Sequence, residues 1–352
     1  MKIRFLKGDD YIQLFNFSNG QALMLEKNEF VYRKEGPLLL DVSITNRCER
    51  QCDFCYRKSQ SHGYDMPIED YSFLLSQAKQ CGVQQIAIGG GEPTLHPNFI
   101  DILEQTVESG LIPNYSTNAD YLTDEVLIAT KKYCGAMAVS IYDNIENYKA
   151  TIERISNFGI VVNLHMILRS DLISRYTAFL RNPPDWLKKV NAIIFLNYKP
   201  ADGKIELCLN QTPNDILVEF FDSVANFKTC GIGFDTCSVS FVSNYLQVDS
   251  SSFDYCEAAR KSAYINERLM VYPCSFYSAQ GINLKDTTLH DIWSSAPSFK
   301  SHRVNVASAC NRCKHFAKCH YGCTIYDINK CDQCRDKISC TTQDLNVSTQ
   351  RN

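Results

Sequence analysis

The stretch LLLDVSITNRCERQCDFC, residues 38–55, joins a predicted β-strand to three cysteines. The apolar run LLLDVSI (38–44) predicts the strand, and Cys48, Cys52 and Cys55 follow it with the spacing C-x3-C-x2-C. A structural zinc ion takes four ligands, and a cubane iron–sulfur cluster has four irons. Three thiolates therefore leave one iron of a [4Fe-4S] cluster able to bind a small chelating molecule and to pass it an electron. A zinc site whose fourth ligand comes from elsewhere is the alternative, and we rank it lower because no partner C-x2-C pair lies nearby.

Short apolar runs alternate with helical patterns from residue 38 onward, as in parallel β-α units. Six such units predict a parallel sheet with right-handed connections. Because a closed barrel of this class needs eight units, we expect an α/β fold with a partial (β/α)6 TIM-type barrel that is open on one side. The active sites of such barrels lie at the carboxyl ends of the strands, where the three cysteines fall. The predicted strands are LLLDVSI (38–44), QIAIG (85–89), PNYST (113–117), MAVSI (137–141), IVVNLHMI (160–167) and AIIFLNY (192–198).

The chain divides into three predicted parts. Residues 1–36 alternate apolar and polar side chains around Ser18-Asn19-Gly20, which predicts a β-hairpin and nothing larger. Residues 37–225 contain the barrel units. Residues 226–352 are rich in cysteine and in turn residues, so we expect a separate C-terminal domain there and no further β-α unit.

Composition limits the class of protein. The chain has 352 residues, a net charge of −3 and a pI near 6.2, so it carries no electrostatic signature of nucleic-acid binding. Its start lacks the apolar core of a signal peptide, and no stretch approaches the roughly 20 apolar residues that span a bilayer. We therefore expect a cytoplasmic protein that contacts no membrane. In a reducing cytosol, the 17 cysteines favour metal ligation over disulfides.

A second motif, Gly89-Gly90-Gly91-Glu92-Pro93, ends the second predicted strand. Glycines there permit dihedral angles that other residues resist and let the backbone approach a ligand. A carboxylate beside exposed backbone groups can bind a cationic amine. An ordinary glycine turn is the simpler interpretation of the motif alone, but its place one β-α unit after the three cysteines indicates a ligand site.

The three-cysteine motif of residues 48–55 and the GGEP motif of residues 90–93 resemble those of the radical S-adenosylmethionine (radical SAM) superfamily. The resemblance implies that the three cysteines hold a [4Fe-4S] cluster and that SAM chelates its fourth iron. It also implies that Glu92 and its glycine neighbours hold the SAM amino group, with Phe54 and Tyr56 near the adenine. Reductive cleavage of SAM would give a 5′-deoxyadenosyl radical that abstracts a substrate hydrogen.

Other strand ends are compatible with the same family. Thr117 and Asn118 lie in a stretch that resembles the polar motif of the third strand, with Ala119 where glycine is frequent. Ser140 resembles a residue that contacts the SAM ribose or carboxylate. Asn163 and His165 share one face of the fifth strand and would point into the barrel near SAM. For His165, ordinary hydrogen-bonded packing is an equally good interpretation.

The C-terminal cysteines resemble the SPASM extension of radical SAM maturases, which binds two auxiliary [4Fe-4S] clusters. The resemblance predicts a Cys-rich iron–sulfur domain, with a zinc ribbon as the alternative. The nearer cluster would use Cys256, Cys274 and Cys323, with Cys237 as a candidate fourth ligand. The farther cluster would use Cys310, Cys313, Cys319 and Cys340, while Cys331 and Cys334 are additional cysteines without an assigned role.

Two residues depart from the SPASM pattern. Leu269 stands where the family has a glycine, five residues before Cys274. Ser275 stands where anaerobic sulfatase-maturating enzymes carry the aspartate that accepts the substrate proton. We therefore disfavour formylglycine formation.

Three functions remain open from the sequence. The first is oxidative modification of a peptide or protein, such as a cross-link, a thioether, an epimerised residue or a desaturation. The second is a radical SAM dehydrogenase or rearrangement enzyme for a small molecule, and the third is a non-catalytic iron–sulfur or zinc protein. An electron donor such as flavodoxin or ferredoxin is expected for either enzyme. Because residues 1–36 are too short for a winged-helix leader-recognition domain, a separate leader-peptide-binding protein is an alternative route to peptide recognition.

Overall fold

The structure is a computed structural model that describes residues 3–8, 11–16, 22–26, 32–249, 254–304, 316–326 and 328–329. Within this part of the chain, no helix is long and apolar enough to cross a membrane.

A small antiparallel sheet forms at the start of the chain, with the strand order β1-β2-β3. Its strands are β1 (Ile3–Lys7), β2 (Tyr11–Asn16) and β3 (Ala22–Glu26). On β2, Tyr11, Gln13 and Phe15 are buried while Ile12 and Leu14 are exposed, as expected for alternating side chains. The prediction of a hairpin and nothing larger was therefore wrong, because the alternation continues through a third strand. The predicted turn at residues 18–20 lies outside the described residues.

Ten strands form the main sheet, in the order β10-β9-β8-β7-β6-β5-β4-β11-β12-β13. All six predicted strands are confirmed, and the strand order has two open ends. The described strands are β4 (Leu39–Thr45), β5 (Gln85–Gly90), β6 (Ile112–Thr117), β7 (Met137–Ile141), β8 (Val162–Leu168), β9 (Ala192–Asn197), β10 (Gly231–Phe234), β11 (Ser262–Ile265), β12 (Met270–Tyr272) and β13 (Ile282–Asn283).

Two parallel strands extend the sheet beyond the six predicted units. The strand β10 pairs in parallel with β9, so the expectation of no further β-α unit after residue 225 was wrong. The short run GIGF gave no clear strand signal because two of its four residues are glycines. At the other side of β4, β11 pairs in parallel and is followed by the antiparallel strands β12 and β13.

The helices connect the strands of the sheet and cover it with apolar side chains. In α1, Tyr71, Leu74, Leu75 and Ala78 are buried on one face. Helix α3 begins after Thr123, whose hydroxyl accepts a hydrogen bond from the Val126 amide. The helices are α1 (Ile68–Gln80), α2 (Phe99–Glu108), α3 (Asp124–Tyr133), α4 (Lys149–Asn157), α5 (Ile173–Arg181), α6 (Asn214–Asn226), α7 (Val239–Tyr245), α8 (Leu289–Ser295), α9 (Pro297–Val304) and α10 (Phe316–Cys319).

The described residues group into two compact units. The first contains Met1–His165, Lys189–Asn191 and Ala258–Val304, and the second contains Met166–Lys188, Ala192–Glu257 and Asn305–Asn352. The first unit holds β4 to β7 with β11 to β13, and the second holds β9 and β10. The domain limits at residues 36 and 225 stay a prediction.

The two faces of β4 differ in polarity. Leu40, Val42 and Ile44 are fully buried on one face. Asp41 lies on the other face and is exposed to solvent. The same alternation on β8 confirms that Val162 and Leu164 are buried while Asn163 and His165 share the more accessible face. The polar face of the sheet therefore carries the candidate functional side chains of the first unit.

Candidate active site at the three-cysteine loop

The three cysteines lie on the loop that follows β4, as predicted. A tight turn connects two of them, because the Cys55 amide donates to the Cys52 carbonyl oxygen at 3.1 Å. The Cys48 amide donates to the Gln60 carbonyl oxygen at 2.7 Å, which joins the two ends of the loop. Cys48 is buried, and Cys52 and Cys55 are partly exposed.

The three thiols influence one another's ionisation. Burial, together with the neighbouring Cys55 and Cys48 thiols, raises the pKa of Cys52 to about 11. Burial also raises the pKa of Cys48, to which Cys55 contributes. Thiols this close together disfavour their charged forms until a cation neutralises them. The donor set therefore fits a positively charged iron–sulfur core.

Among the described residues, no three Cys, His, Asp or Glu side chains converge on the position of a single metal ion. An iron–sulfur cluster binds each thiolate through a different iron, so its ligands do not share one point. The arrangement of Cys48, Cys52 and Cys55 is compatible with such a cluster.

Arg50 holds the cysteine loop against neighbouring elements. Its guanidinium donates to both carboxylate oxygens of Asp120, each at 2.5 Å, and to the Tyr148 hydroxyl at 2.8 Å. It also lies over the Tyr142 ring, 5.5 Å from its centroid. These charge-assisted bonds fix the segment between Cys48 and Cys52. Sequence reasoning missed Arg50, because its partners lie about 70 and 98 residues away in the chain.

Glu92 is buried at the end of β5, with 1% of its surface exposed. Its Oε1 accepts hydrogen bonds from the Thr94 hydroxyl at 2.7 Å, the Thr94 amide at 3.2 Å and the Thr117 hydroxyl at 2.7 Å. Its Oε2 accepts one bond, from the Asn118 amide at 2.7 Å. Burial raises the pKa of Glu92, while the bonds from Thr94, Asn118 and Thr117 oppose that rise. The carboxylate thus connects the end of β5 to the end of β6.

The structure brings Thr117 and Asn118 to Glu92, and it brings Asn118 to the cysteine loop as well. The Asn118 side-chain amide donates to the Cys48 sulfur at 3.9 Å. Ala119, at the position where relatives often have glycine, has a φ of 68°. That left-handed conformation is the one that glycine adopts most easily.

Two of the motif glycines allow backbone segments to approach each other. A Cβ on Gly90 would lie 2.1 Å from the Thr45 carbonyl oxygen, and one on Gly91 would lie 2.0 Å from that of Arg47. Both positions therefore exclude any side chain because of the strand packing itself. By contrast, a Cβ on Gly89 would meet nothing within 4 Å, so Gly89 is the glycine of this motif that faces open space.

The aromatic residues of the loop pack against different partners. Phe54 packs against Tyr142, with ring centroids 5.5 Å apart. Tyr56 packs against Phe276 at 4.4 Å. Sequence reasoning did not identify Tyr142 as a site residue. Its position directly after β7, at the carboxyl end of a parallel strand, was a signal that could have identified it. Its hydroxyl is hydrogen-bonded with the predicted site residue Ser140.

The two predicted site residues on β8 have different surroundings. The Ser116 hydroxyl lies 3.4 Å from His165 Nδ1, on the polar face of the sheet. Asn163 accepts a hydrogen bond from the Asn191 side chain at 2.8 Å, near the start of β8. Because active sites of parallel sheets form at the carboxyl ends of the strands, Asn163 is less well placed than His165.

One pair of predicted auxiliary ligands comes together in the second unit. The thiols of Cys237 and Cys323 share a hydrogen bond, which lowers the pKa of Cys323. Nearby, Lys199 Nζ lies 2.9 Å from Asp235 Oδ2. Burial opposes the charge of Lys199, but Asp235 and Cys237 raise its pKa, so it stays protonated. A buried ammonium here favours a thiolate on the cysteine pair.

For the other predicted auxiliary ligands within the described residues, the structure gives the degree of burial. Cys256, Cys274 and Cys319 are each partly exposed. The remaining C-terminal cysteines lie outside the described residues: Cys310, Cys313, Cys331, Cys334 and Cys340.

Comparison with known families supports the interpretation of the cysteine loop. Residues 42–170 match the Radical SAM superfamily. The chain contains a radical SAM domain. The matched segment begins in β4 and ends just after β8, and it includes the cysteine loop and the GGEP motif.

Individual radical SAM relatives carry names of peptide-modifying enzymes. The chain is 31% identical over 140 residues to the PqqA peptide cyclase of Rhodopseudomonas palustris, covering 39% of this chain and 36% of that protein. It thus spans about a third of the length of that curated relative. The mycofactocin maturase MftC of Mycobacterium ulcerans is 22% identical over 327 residues, covering 84% of this chain and 85% of the relative.

The fold of the chain is similar to that of SuiB from Streptococcus suis bound to S-adenosylmethionine. The TM-score is 0.71 at 17% identity, and the match covers 92% of this chain and 94% of SuiB. SuiB is also known in complex with its precursor peptide SuiA. At this identity the likeness shows a common α/β fold with a parallel sheet.

Proposed function

We propose that the protein is a radical SAM enzyme that oxidatively modifies a peptide. The observation that carries the proposal is the set of three adjacent thiols, Cys48, Cys52 and Cys55, on the loop after β4 of a radical SAM domain. A [4Fe-4S] cluster bound there would supply the electron that cleaves SAM to a 5′-deoxyadenosyl radical.

The proposed SAM site lies at the adjoining strand ends. Glu92 Oε2 accepts a single hydrogen bond and keeps capacity for a second donor, which suits the SAM ammonium. Thr117 and Asn118 hold that carboxylate in place. Phe54 and Tyr142 present a pair of rings beside Ser140, which suits the adenosine part of SAM.

A peptide is the proposed substrate because relatives of this chain are named for peptide chemistry. The PqqA cyclase and the MftC maturase carry such names, and SuiB was solved with a precursor peptide. A cross-link, thioether or desaturation would each be a two-electron oxidation of a peptide, whereas an epimerisation would return a hydrogen atom to the substrate radical and be redox-neutral. An electron donor such as flavodoxin or ferredoxin and a separate leader-peptide-binding protein are the proposed partners.

We further propose that the C-terminal cysteines hold two auxiliary [4Fe-4S] clusters. The nearer would use Cys256, Cys274 and Cys323, with Cys237 as the fourth ligand. The hydrogen bond between the Cys237 and Cys323 thiols supports this choice of fourth ligand. The farther cluster would use Cys310, Cys313, Cys319 and Cys340. Abstraction of one hydrogen leaves a substrate radical, so a net oxidation needs an acceptor for one more electron, and such clusters can serve as that acceptor.

The core proposal is tested by SAM cleavage. The chain is reconstituted anaerobically with iron and sulfide, reduced with dithionite and assayed for 5′-deoxyadenosine. Replacing Cys48, Cys52 and Cys55 together with alanine should abolish the product, while Cys230→Ala should not, because Cys230 directly precedes β10 and is not part of the three-cysteine motif. Continued 5′-deoxyadenosine formation by the triple variant would contradict the cluster assignment.

The substrate class is tested with peptides encoded near this chain. A peptide product that has lost two hydrogens, formed only with SAM and reductant, would support oxidative peptide modification. Turnover of a small molecule with no change in any such peptide would instead favour the small-molecule alternative.

The role of Glu92 is tested by Glu92→Gln. An amide cannot pair with the SAM ammonium as a carboxylate does, so SAM affinity should fall about tenfold while iron content stays near the wild-type level. Equal SAM affinity in an iron-replete variant would remove Glu92 from the SAM site.

A further inference from the structure

An acidic side chain on the polar face of β4 has no part in the proposed SAM chemistry. Asp41 is exposed to solvent, although its neighbours Leu40 and Val42 are fully buried. Among the described residues, no hydrogen bond or ion pair to the Asp41 carboxylate is formed. A carboxylate that is accessible on the polar face of a sheet and has no hydrogen-bonding partner there is available to a cationic ligand.

The strand register surrounds Asp41 with a specific set of neighbours. Tyr264 of β11 is its register partner on one side, and Ala87 of β5 is its partner on the other. Register partners in adjacent strands project to the same face of a sheet. The small Ala87 side chain leaves space beside the carboxylate, and Tyr264 forms an aromatic wall that continues to Tyr272 of β12, with ring centroids 5.9 Å apart.

The cysteine loop contributes the remaining neighbours. The Arg57 guanidinium donates to Glu267 and to the Tyr264 hydroxyl. Glu267 is itself buried and also accepts a hydrogen bond from the Ser43 hydroxyl at 2.9 Å. Tyr56 interacts electrostatically with Asp41. We call Asp41, Tyr56, Arg57, Tyr264, Glu267 and Tyr272 the Asp41 site.

The charges of the Asp41 site do not cancel. Arg57 forms its ion pair with Glu267 and acts on Asp41 only as a nearby charge, so one guanidinium faces two carboxylates. Tyrosine phenols are ordinarily neutral at pH 7, and burial raises the pKa of Tyr264 further, so neither Tyr56 nor Tyr264 carries a charge. One positive and two negative charges leave a net charge of −1, next to three aromatic rings. A carboxylate beside aromatic faces is the arrangement that recognises ammonium and guanidinium groups.

We propose that the Asp41 site binds a cationic group of the substrate, such as a lysine or arginine side chain of the peptide. This inference rests on the proposed function for the identity of the substrate as a peptide. The site would place that cationic residue next to the cysteine loop through Tyr56 and Arg57. It would therefore select which part of the peptide faces the reacting end of the sheet.

The pH dependence of such binding follows from the neighbours of Asp41. Although Asp41 is accessible, the protein atoms packed around its carboxylate remove part of its hydration and raise its pKa to about 6, and Arg57 opposes that rise. The titratable and charged groups that act on it are Tyr56 and Arg57 from the cysteine loop and Tyr264 from β11. Glu267 and Tyr272 belong to this set through their interactions with Arg57, and Ala87 of β5 is uncharged. Cation binding should therefore weaken as the pH falls below about 6 and Asp41 becomes protonated.

The test compares two probes that differ in one charged group. N-acetyl-lysine methylamide and N-acetyl-norleucine methylamide are titrated into the full chain at pH 7.5 and followed by ligand-observed NMR. The lysine probe should bind the wild type about tenfold more tightly. Asp41→Asn should remove this preference, Asp41→Glu should retain part of it, and Asp286→Asn, at an exposed position, should leave it unchanged. Equal binding of both probes to the wild type, or an unchanged preference in Asp41→Asn, would overturn the proposal.

Two further measurements separate this inference from others. SAM affinity and 5′-deoxyadenosine formation should be unchanged in Asp41→Asn, and a loss of SAM affinity would instead assign Asp41 to the SAM site and overturn the proposal. A wild type that prefers the lysine probe but cleaves no SAM would contradict the proposed function and leave the Asp41 site supported.

Discussion

At the scale of single residues, two side chains occupy a backbone conformation that favours glycine. Ala119 has a φ of 68° and Leu269 a φ of 60°. Both stand where the radical SAM or SPASM pattern often has glycine, and the structure gives the reason: each position lies in the left-handed region, which costs an L-residue roughly 1–2 kcal/mol. Leu269 is fully buried, so its side chain also contributes to the core.

We predict that Ala119→Gly raises the free energy of unfolding by up to about 1 kcal/mol, because relief of the left-handed strain exceeds the added entropy of the unfolded chain. Leu269→Gly should lower it by about 2–4 kcal/mol, because the lost burial of a leucine outweighs the same relief. Urea unfolding of both variants beside the wild type measures the difference. A destabilised Ala119→Gly variant would contradict the account of strain.

Asp41 provides a second prediction at this scale. Its pKa is raised in the folded state to about 6 from 3.8, so between these values the folded chain binds more protons than the unfolded chain. Stability contributed by Asp41 is therefore present at low pH and lost as the pH rises through 6. Asp41→Asn should raise the Tm at pH 7.5 and leave it nearly unchanged below pH 4. A lower Tm at pH 7.5 would show that the ionised Asp41 stabilises the fold through Arg57 and would contradict an unpaired carboxylate.

At the scale of elements, the cysteine loop is held by contacts with other elements and not by its own sequence. Arg50 joins it to Asp120, which follows β6, and to Tyr148, which precedes α4. Arg57 joins it to Glu267 and Tyr264 of the segment around β11. The loop thus has two anchors: Arg50 lies before Cys52 and Arg57 lies after Cys55.

We predict that Asp120→Asn weakens the first anchor and speeds the loss of iron to a chelator severalfold, because the bidentate ion pair with Arg50 is lost. Asp124→Asn is the matched control, since Asp124 pairs with Arg154 away from the loop. Iron released to bipyridyl under anaerobic conditions measures the rate. Equal rates for Asp120→Asn and the wild type would show that Arg50 does not hold the loop.

At the scale of the whole molecule, the proposed clusters set the iron content. Three cubanes require about twelve iron atoms per chain, and the core cluster alone requires about four. Cys274→Ala should lower the total to about eight and stop peptide oxidation while SAM cleavage continues. About four irons in the reconstituted wild type would leave the C-terminal cysteines without auxiliary clusters.

The sequence by itself determined the six central strands and the place of the cysteine loop. Those strands are short runs in which apolar side chains dominate or alternate with polar ones, and such runs are readable because a strand must bury at least one face along its length. The spacing of Cys48, Cys52 and Cys55 was equally readable, because the three ligands of the proposed core cluster lie within a single loop. Both features could be predicted because each is set by residues that are close together in the sequence.

Only the tertiary structure decided which distant residues complete the site. The pairing of β11 with β4 brings Tyr264 beside Asp41, more than 200 residues away in the chain. The tertiary structure also shows that Thr117 and Asn118 donate hydrogen bonds to Glu92. It further shows that Gly90 and Gly91 must be glycine because the backbone at the end of β4 lies directly against them. The short strand β10 and the partners of Arg50 were likewise unreadable in advance. The physical reason is that register and long-range ion pairs depend on how elements pack, which no local period encodes.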